Sequence, residues 1–500
     1  MARNATLRQN LVFFFFILFG LLIAGKLVNL QIIKGEYYKA LAEGQNTSGQ
    51  DFKKDRGEIF LKNSEPFAID KNFSLVFANG LKISDPQKTA QSLSSVLGLP
   101  EDFVLAQIGK DTLYSPIKSR LTKEEIKGLE ELNLSGISFT REQGHYFPQE
   151  TLASQVVGFV DANYQGQYGL EEYYNDLLSG RKPATDKGSS LVLTIDYDIQ
   201  FMAEKLLETA KKNVDMESGS ILVLDPNSGK ILAMANYPNF NPNGYRDYAQ
   251  AGDMGIFQNN LTQKIFEPGS VFKPITMAAA LEEEAITPQT TYTDEGIIKI
   301  GGRTIYNYDN RTYGLQTMTN VLEKSINTGA VFAQRQLGNS LFLKYIENFG
   351  FFSSTGVDLQ EVYSENREFK KGYEINYATA AFGQGIEITP IQLARAFSAI
   401  ANGGKLVKPY LVEKISTPQK DGSSRDQETK PEFSKPVISS KTASQVTTML
   451  TSVVENGFSK KAKIPGYYIA GKTGTAQVPE AGKYSSDRTV QSFIGFFPAF

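Results

Sequence analysis

From Leu11 to Ile33 the chain is apolar apart from glycine, Asn29, Gln31 and one charge, Lys26. A helix needs about 20 apolar residues to cross the hydrocarbon core of a bilayer, so the whole stretch is long enough. Its first part, Leu11–Gly25, is shorter and has the length of a signal-peptide core. Cleavage there is disfavoured, because Ala24-Gly25 is a poor small-x-small site and the apolar run resumes after Lys26. Residues 11–33 are therefore expected to be an uncleaved transmembrane anchor, preceded by a short tail, 1–10, carrying Arg3 and Arg8. Lys26 and Lys34 balance those arginines, so the positive-inside count leaves orientation open.

Composition removes several function classes. A chain of 500 residues supports a buried core and roughly two to four domains. A formal net charge of −2 gives no support for nucleic-acid binding. There is no cysteine, which excludes disulfides, a thiolate nucleophile and cysteine metal sites. His145 is the one histidine. A Ser-His-Asp triad would have to use it, yet its setting, GHYFPQE, reads as a loop before a turn. Zinc and haem sites are disfavoured for the same reason, and no cofactor is implied. A serine enzyme built from this composition would take lysine as its base.

Residues 34–188 mix strand-like runs (Ser74–Asn79, Gly136–Glu142) with a helical one, Leu121–Leu132, whose apolar residues fall at helical spacing. Nothing there has catalytic density, so a structural or partner-binding module is expected. The polar, Pro- and Gly-containing stretch Arg181–Ser190 marks a boundary. Beyond it, a helix is predicted at about Ile199–Lys212 and a hairpin over Gly219–Pro238, turning at Asp225–Gly229. Largely helical segments follow at Val321–Gly338, Tyr377–Gly404 (broken at Gly383–Pro390) and Thr442–Glu455. Residues 416–436 are polar and read as a surface loop. Tyr467–Thr475 reads as a buried strand with two glycines, which suits close approach by a ligand. The run Ser492–Phe500 reads as an apolar strand with nothing to close it, so a further C-terminal segment is expected.

The stretch Phe266–Thr276, FEPGSVFKPIT, places Ser270 three residues before Lys273. On a helix that spacing puts both side chains on one face, about one turn apart. Pro268 and Gly269 break the chain just before, and Val271–Leu281 reads as helix, with Pro274 tolerated near its first turn. An amine beside a hydroxyl at a helix start can take its proton and make it a nucleophile. Ser-x-x-Lys also occurs at Ser115/Lys118 and Ser179/Lys182, so the pattern alone is weak.

Two further elements follow in order: Ser325-Ile-Asn327 and Lys472-Thr473-Gly474-Thr475. Taken singly, Lys273 reads more readily as a solvated helix lysine, Asn327 as a helix cap and Gly474 as a strand kink. Together the trio resembles the penicillin-recognising serine transferases and hydrolases. Asp55–Phe60 (DRGEIF), Gly169–Gly180, Leu193–Asp196, Val223–Asn243, Ala381–Ala394 and the terminal SFIGFFP are similar to class B penicillin-binding proteins, the monofunctional cell-wall transpeptidases. The resemblance runs from the anchor onward and is weaker over 61–140, where Leu61–Ser64 replaces the usual DRNG. Phe266–Ser270 and Asn327 look more like the septal than the elongation type.

That resemblance implies an α+β serine-transpeptidase fold, with an antiparallel sheet containing Gly219–Pro238 sandwiched between helices. It implies a pedestal over 34–188 and a transpeptidase domain over 189–500. It implies Ser270 as nucleophile attacking D-Ala-D-Ala stem peptides of peptidoglycan, and Lys273 as general base. Ser325 would relay a proton, and Asn327 would hold the donor backbone and Lys273. Lys472, Thr473, Gly474 and Thr475 would bind the terminal carboxylate. The backbone N–H groups of Ser270 and Thr475 would form the oxyanion hole. β-Lactams would acylate Ser270. Implied partners are the membrane, a membrane glycan polymerase and division proteins, with the tail cytoplasmic and the catalytic domain extracytoplasmic. Rival readings are a β-lactamase or carboxypeptidase, a β-lactam sensor, an elongation-type transpeptidase and a non-catalytic division scaffold.

Overall fold

The structure, a computed structural model, describes residues 2–35, 38, 39, 42, 55–183, 185, 187–480 and 483–500. Met1 of the expected tail, most of 36–54 at the start of the expected pedestal, and Ala184 and Asp186 of the expected boundary lie outside the described residues. The chain divides into two compact units, one of residues 1–54 and 70–146, the other of 55–69 and 147–500.

Helix α1 (Ala2–Val28) runs on through a π-helical turn, Asn29–Ile33. Within it, Phe13–Gln31 is long and apolar enough to cross a membrane and is not buried against the rest of the chain. A run of exposed phenylalanines from Phe13 to Phe16 is unfavourable in water and favourable in lipid.

Strand β1 (Ile59–Phe60) belongs to the second unit and strand β2 (Pro66–Ala78) starts there, its residues from Asp70 onward lying in the first. In the first unit follow α2 (Pro86–Leu97), α3 (Glu101–Ile108), β3 (Ser115–Lys118), α4 (Lys123–Leu132) and β4 (Ile137–Tyr146). Asp85 caps α2 by accepting from Lys88 N, with Pro86 at the first helical position. Thr122 and Glu125 form a reciprocal capping box on α4, which is why that helix begins two residues inside the predicted Leu121–Leu132. Val76, Ala90, Leu93, Val104, Ile108 and Leu129 make the core of this unit. His145, expected in a loop, lies in β4 instead, buried with Nδ1 2.7 Å from Asp70 Oδ1. The carboxylate supplies the partner that a buried imidazole requires, so the polar stretch around it can continue as strand.

In the second unit β1 pairs antiparallel with the start of β2 and parallel with β5 (Ser190–Leu193). Helix α5 (Tyr197–Val214) packs on the hairpin β6 (Gly219–Leu224) and β7 (Ile231–Tyr237). Arg56 is fully buried and donates Nε to Glu171 Oε2 at 2.7 Å, Nη2 to Glu171 O at 3.0 Å and Nη1 to Asn175 Oδ1 at 3.0 Å. The stretches DRGEIF and GLEEYYNDLLSG are thus joined by one guanidinium fork, the geometry arginine is built for.

Helix α6 (Lys273–Glu282) is buried from Lys273 to Leu281 at the centre of the largest core, and a 3₁₀ turn, Gly269–Phe272, leads into it. Around it come β8 (Thr291–Asp294), β9 (Ile297–Ile300), β10 (Arg303–Tyr306), β11 (Gly314–Thr317), α7 (Asn327–Leu337) and α8 (Pro390–Ala401). Strands β12 (Val412–Pro418) and β13 (Ser424–Glu428) turn much of the predicted surface loop into a hairpin. β13 is exposed throughout and carries Asp426, opposite Ser416 and in a diagonal ion pair with Lys414. An edge strand of that kind needs no apolar face, so composition hid it. Helix α9 (Ser440–Glu455) precedes β14 (Ala470–Glu480) and β15 (Lys483–Phe496). The antiparallel sheet expected around Gly219–Pro238 takes the form of two separate ladders among the described residues: β6 with β7, and β14 with β15.

Candidate active site

The site is assembled where α6, the start of α7 and β14 meet. Lys273 is at the first position of α6 and has no solvent exposure. Its Nζ lies 2.8 Å from Ser270 Oγ, 2.7 Å from Ser325 O, 3.2 Å from Ser325 Oγ and 2.9 Å from Asn327 Oδ1. Lys472, equally buried, places Nζ 3.0 Å from Ser325 Oγ and 2.9 Å from Thr473 O. Ser270, Lys273, Ser325, Asn327 and Lys472 therefore form one connected cluster. Thr473 and Thr475 occupy alternate positions of β14. Their hydroxyls turn to Ser459 Oγ at 3.4 Å and Gln491 Oε1 at 3.0 Å, and neither bonds to the cluster among the described residues.

Each placement has a local cause. The predicted helix over Val321–Gly338 breaks at Ser325, whose φ of 56° is left-handed, and α7 restarts at Asn327. The break frees the Ser325 carbonyl from the helix ladder, and that carbonyl accepts from Lys273. Asn327 caps nothing: its Nδ2 donates to Tyr306 O at 2.9 Å while its Oδ1 faces Lys273. Gly474 lies in a regular ladder opposite Ser492, and a Cβ there would come within 2.9 Å of Val271 Cγ1 and 2.6 Å of Ser492 Oγ. Glycine is what lets β14 press against the turn that carries Ser270. A contact the sequence did not disclose fixes that turn from the other side. Gly269 N donates to Gly383 O at 2.9 Å, and Thr276 Oγ1 to Ala381 O at 2.8 Å. Gly383 has a φ of 81°, and a Cβ on it would lie 2.2 Å from Gly269 O. The signal was present in Ala381–Ala394, but only as a resemblance.

Electrostatics set the protonation. Burial, and then the positive charge of Lys472, hold the Lys273 pKa well below its ordinary value. Burial lowers that of Lys472 to about 7. Neither lysine is in an ion pair among the described residues, so nothing compensates an ammonium at either place. A neutral amine has two N–H bonds and one lone pair. At Lys273 the two carbonyl oxygens, Ser325 O and Asn327 Oδ1, take the N–H bonds. The lone pair is left to face the Ser270 hydroxyl, the arrangement of a general base beside its nucleophile.

The cluster lies in a stretch that matches a known family. Residues 219–499 match the penicillin binding protein transpeptidase domain, and residues 53–187 match the penicillin-binding protein dimerisation domain. Stage V sporulation protein D of Bacillus subtilis is 33% identical, over 99% of this chain and 80% of that protein. A peptidoglycan D,D-transpeptidase FtsI homolog of Mesostigma viride is 30% identical, over 98% of this chain and 89% of that one. Among solved structures, penicillin binding protein 3 of Mycobacterium tuberculosis, complexed with aztreonam, superposes with a TM-score of 0.68. It is 27% identical and covers 89% of this chain and 87% of its own. With both domains matched in order and the serine–lysine cluster assembled, the chain belongs to the class B penicillin-binding proteins.

Proposed function

We propose that the protein cross-links peptidoglycan as a septal-type D,D-transpeptidase, anchored by residues 11–33, with a pedestal over 34–188 and a transpeptidase domain over 189–500. The observation that carries the reading is the fully buried Lys273 amine, its pKa lowered by burial and by Lys472, 2.8 Å from Ser270 Oγ. Relatives named as peptidoglycan D,D-transpeptidases support the reaction, and the dimerisation-domain match supports the pedestal. The FtsI name of a relative and the septal look of Phe266–Ser270 favour division over elongation. Because the stem peptides lie outside the membrane, the catalytic domain is placed extracytoplasmically and the tail in the cytoplasm. The pedestal would engage a membrane glycan polymerase and division proteins.

In the first half-reaction the Ser270 proton passes to Lys273, and Oγ attacks the carbonyl between the terminal D-alanines. The backbone N–H groups of Ser270 and Thr475 receive the oxyanion, a role whose loss typically costs about 10²–10³ in rate. The C–N bond breaks, and the proton reaches the leaving D-alanine amine through Ser325, which touches both lysines. In the second half-reaction an amine of a neighbouring stem attacks the ester, and Ser270 recovers its proton. Lys472, Thr473, Gly474 and Thr475 hold the terminal carboxylate, the threonine hydroxyls turning inward from Ser459 and Gln491 to do so.

β-Lactams imitate the donor, so a fluorescent penicillin should label the protein covalently on the Ser270 peptide, and Ser270→Ala should give no adduct by gel and mass spectrometry. Labelling that survives in Ser270→Ala would reject the nucleophile. Absence of labelling in the folded parent would reject the enzyme and favour a scaffold. The acylation efficiency k2/K should also fall as pH rises through about 7, where Lys472 loses its proton. Above that pH the free enzyme no longer presents a cation to the carboxylate, and k2/K reports the free enzyme's groups. A profile still level at about pH 9 would remove Lys472 from carboxylate binding.

A further inference from the structure

Asn327 can present either end of its amide to Lys273, since oxygen and nitrogen have the same shape and only hydrogen-bond partners choose between them. The choice matters. With oxygen toward Lys273 the amide takes an N–H from the amine. With nitrogen toward it, the amide N–H would occupy the lone pair that must receive the Ser270 proton. What holds the oxygen inward is the Tyr306 carbonyl, which accepts from Asn327 Nδ2.

Behind this contact lies a buried carboxylate with no part in the proposed chemistry. Asp294, at the end of β8 and 1% exposed, accepts from Gly296 N at 3.1 Å, Tyr313 N at 2.8 Å, Asn307 Nδ2 at 3.0 Å and Thr328 Oγ1 at 2.5 Å. Asn307 Oδ1 in turn accepts from Thr328 N at 3.1 Å, and Tyr292 OH lies 3.3 Å from Thr328 Oγ1. Asn307 follows Tyr306, and Thr328 follows Asn327. One carboxylate thus grips the neighbours of both ends of the Asn327–Tyr306 hydrogen bond.

We propose that Asp294 is a positioning residue for acyl transfer: through Asn307 and Thr328 it fixes Tyr306 O against Asn327 Nδ2, so that the amide shows Lys273 its oxygen. The proposal rests on Lys273 being the base. Residues this deep, with every acceptor position filled, hold one arrangement rigidly. Loss of a member frees α7 and β10 to move by the small amount that lets the amide turn.

The test is the rate of acylation by a fluorescent penicillin, per folded molecule of the full chain, against pH. Thr328→Val removes one donor to Asp294 without changing size or charge, and Asp294→Asn is the harsher variant, putting an amide N–H among four donors. Both should lose roughly tenfold or more in rate, while Thr328→Ser, which keeps the hydroxyl, stays within about twofold. The acid limb of the Thr328→Val profile should also move to lower pH. An N–H aimed at Lys273 disfavours its ammonium, to which Lys472 on β14 already adds its charge. A parental rate in Thr328→Val, or a loss of rate with an unmoved acid limb, overturns the proposal. Lys273→Ala, measured alongside, separates the two readings: if it labels at the parental rate the base assignment fails and the positioning role with it. If it is silent while Thr328→Val behaves as the parent, only the positioning role fails.

Discussion

Lys273→Met is expected to slow acylation of Ser270 by about 10²–10⁴-fold, the usual worth of a positioned general base. Methionine fills the volume without an amine, so the Ser270 hydroxyl keeps its place and loses its proton acceptor. Stopped-flow labelling reads the rate, and a fall of less than about tenfold would move the base elsewhere in the cluster. The same substitution has a second signature. The parental lysine is protonated when unfolded and neutral when folded, between its lowered folded pKa and its ordinary value. The unfolded chain therefore binds more protons across that interval, and stability rises with pH there. Lys273 contributes about 1.4 kcal/mol per pH unit to that slope. In Lys273→Met the contribution disappears, which denaturation at a series of pH values from neutral upward would show.

Arg56→Met is expected to destabilise the second unit by about 3–5 kcal/mol, because it takes the guanidinium away from the buried Glu171 carboxylate. Both side chains are essentially inaccessible, at 1% and 0% exposure, so water cannot replace the guanidinium. The same loss removes the donors to Glu171 O and Asn175 Oδ1. Adding Glu171→Leu should recover much of the loss, since replacing both members of a buried pair by apolar groups is often neutral. Chemical denaturation of the two variants reads the difference, and a single variant within about 1 kcal/mol of the parent would show that the pair is not structural. A surface ion pair such as Lys127–Glu131, with its atoms 3.9 Å apart and both side chains exposed, should show no such effect.

What could be read in the sequence was local. Ser270 and Lys273 are joined by helical spacing, the Gly219–Pro238 hairpin by its turn, and α4 by its periodicity. The order of the three motifs made the cluster legible before its geometry was known. What escaped depends on contacts remote in sequence. The grip of Gly383 on Gly269 and the knot of Asp294, Asn307 and Thr328 leave no local pattern. Asp294 looks like any turn carboxylate until the donors converge on it. The β12–β13 hairpin was missed for the opposite reason: its pairing is backbone-driven, and an exposed ribbon need not alternate. His145 was misplaced because its compensation, Asp70, lies on another strand.

The left-handed backbone at Ser325 sets folding and chemistry against each other at a single torsion. An L-residue pays on the order of 1–2 kcal/mol to sit there, and glycine would not. A sequence tuned only for thermal endurance would therefore carry glycine at 325. Glycine would keep the carbonyl that binds Lys273 and lose the hydroxyl that bridges both lysines. Serine at this position is a small, permanent tension in the chain, and its hydroxyl stands within hydrogen-bond distance of both Lys273 and Lys472.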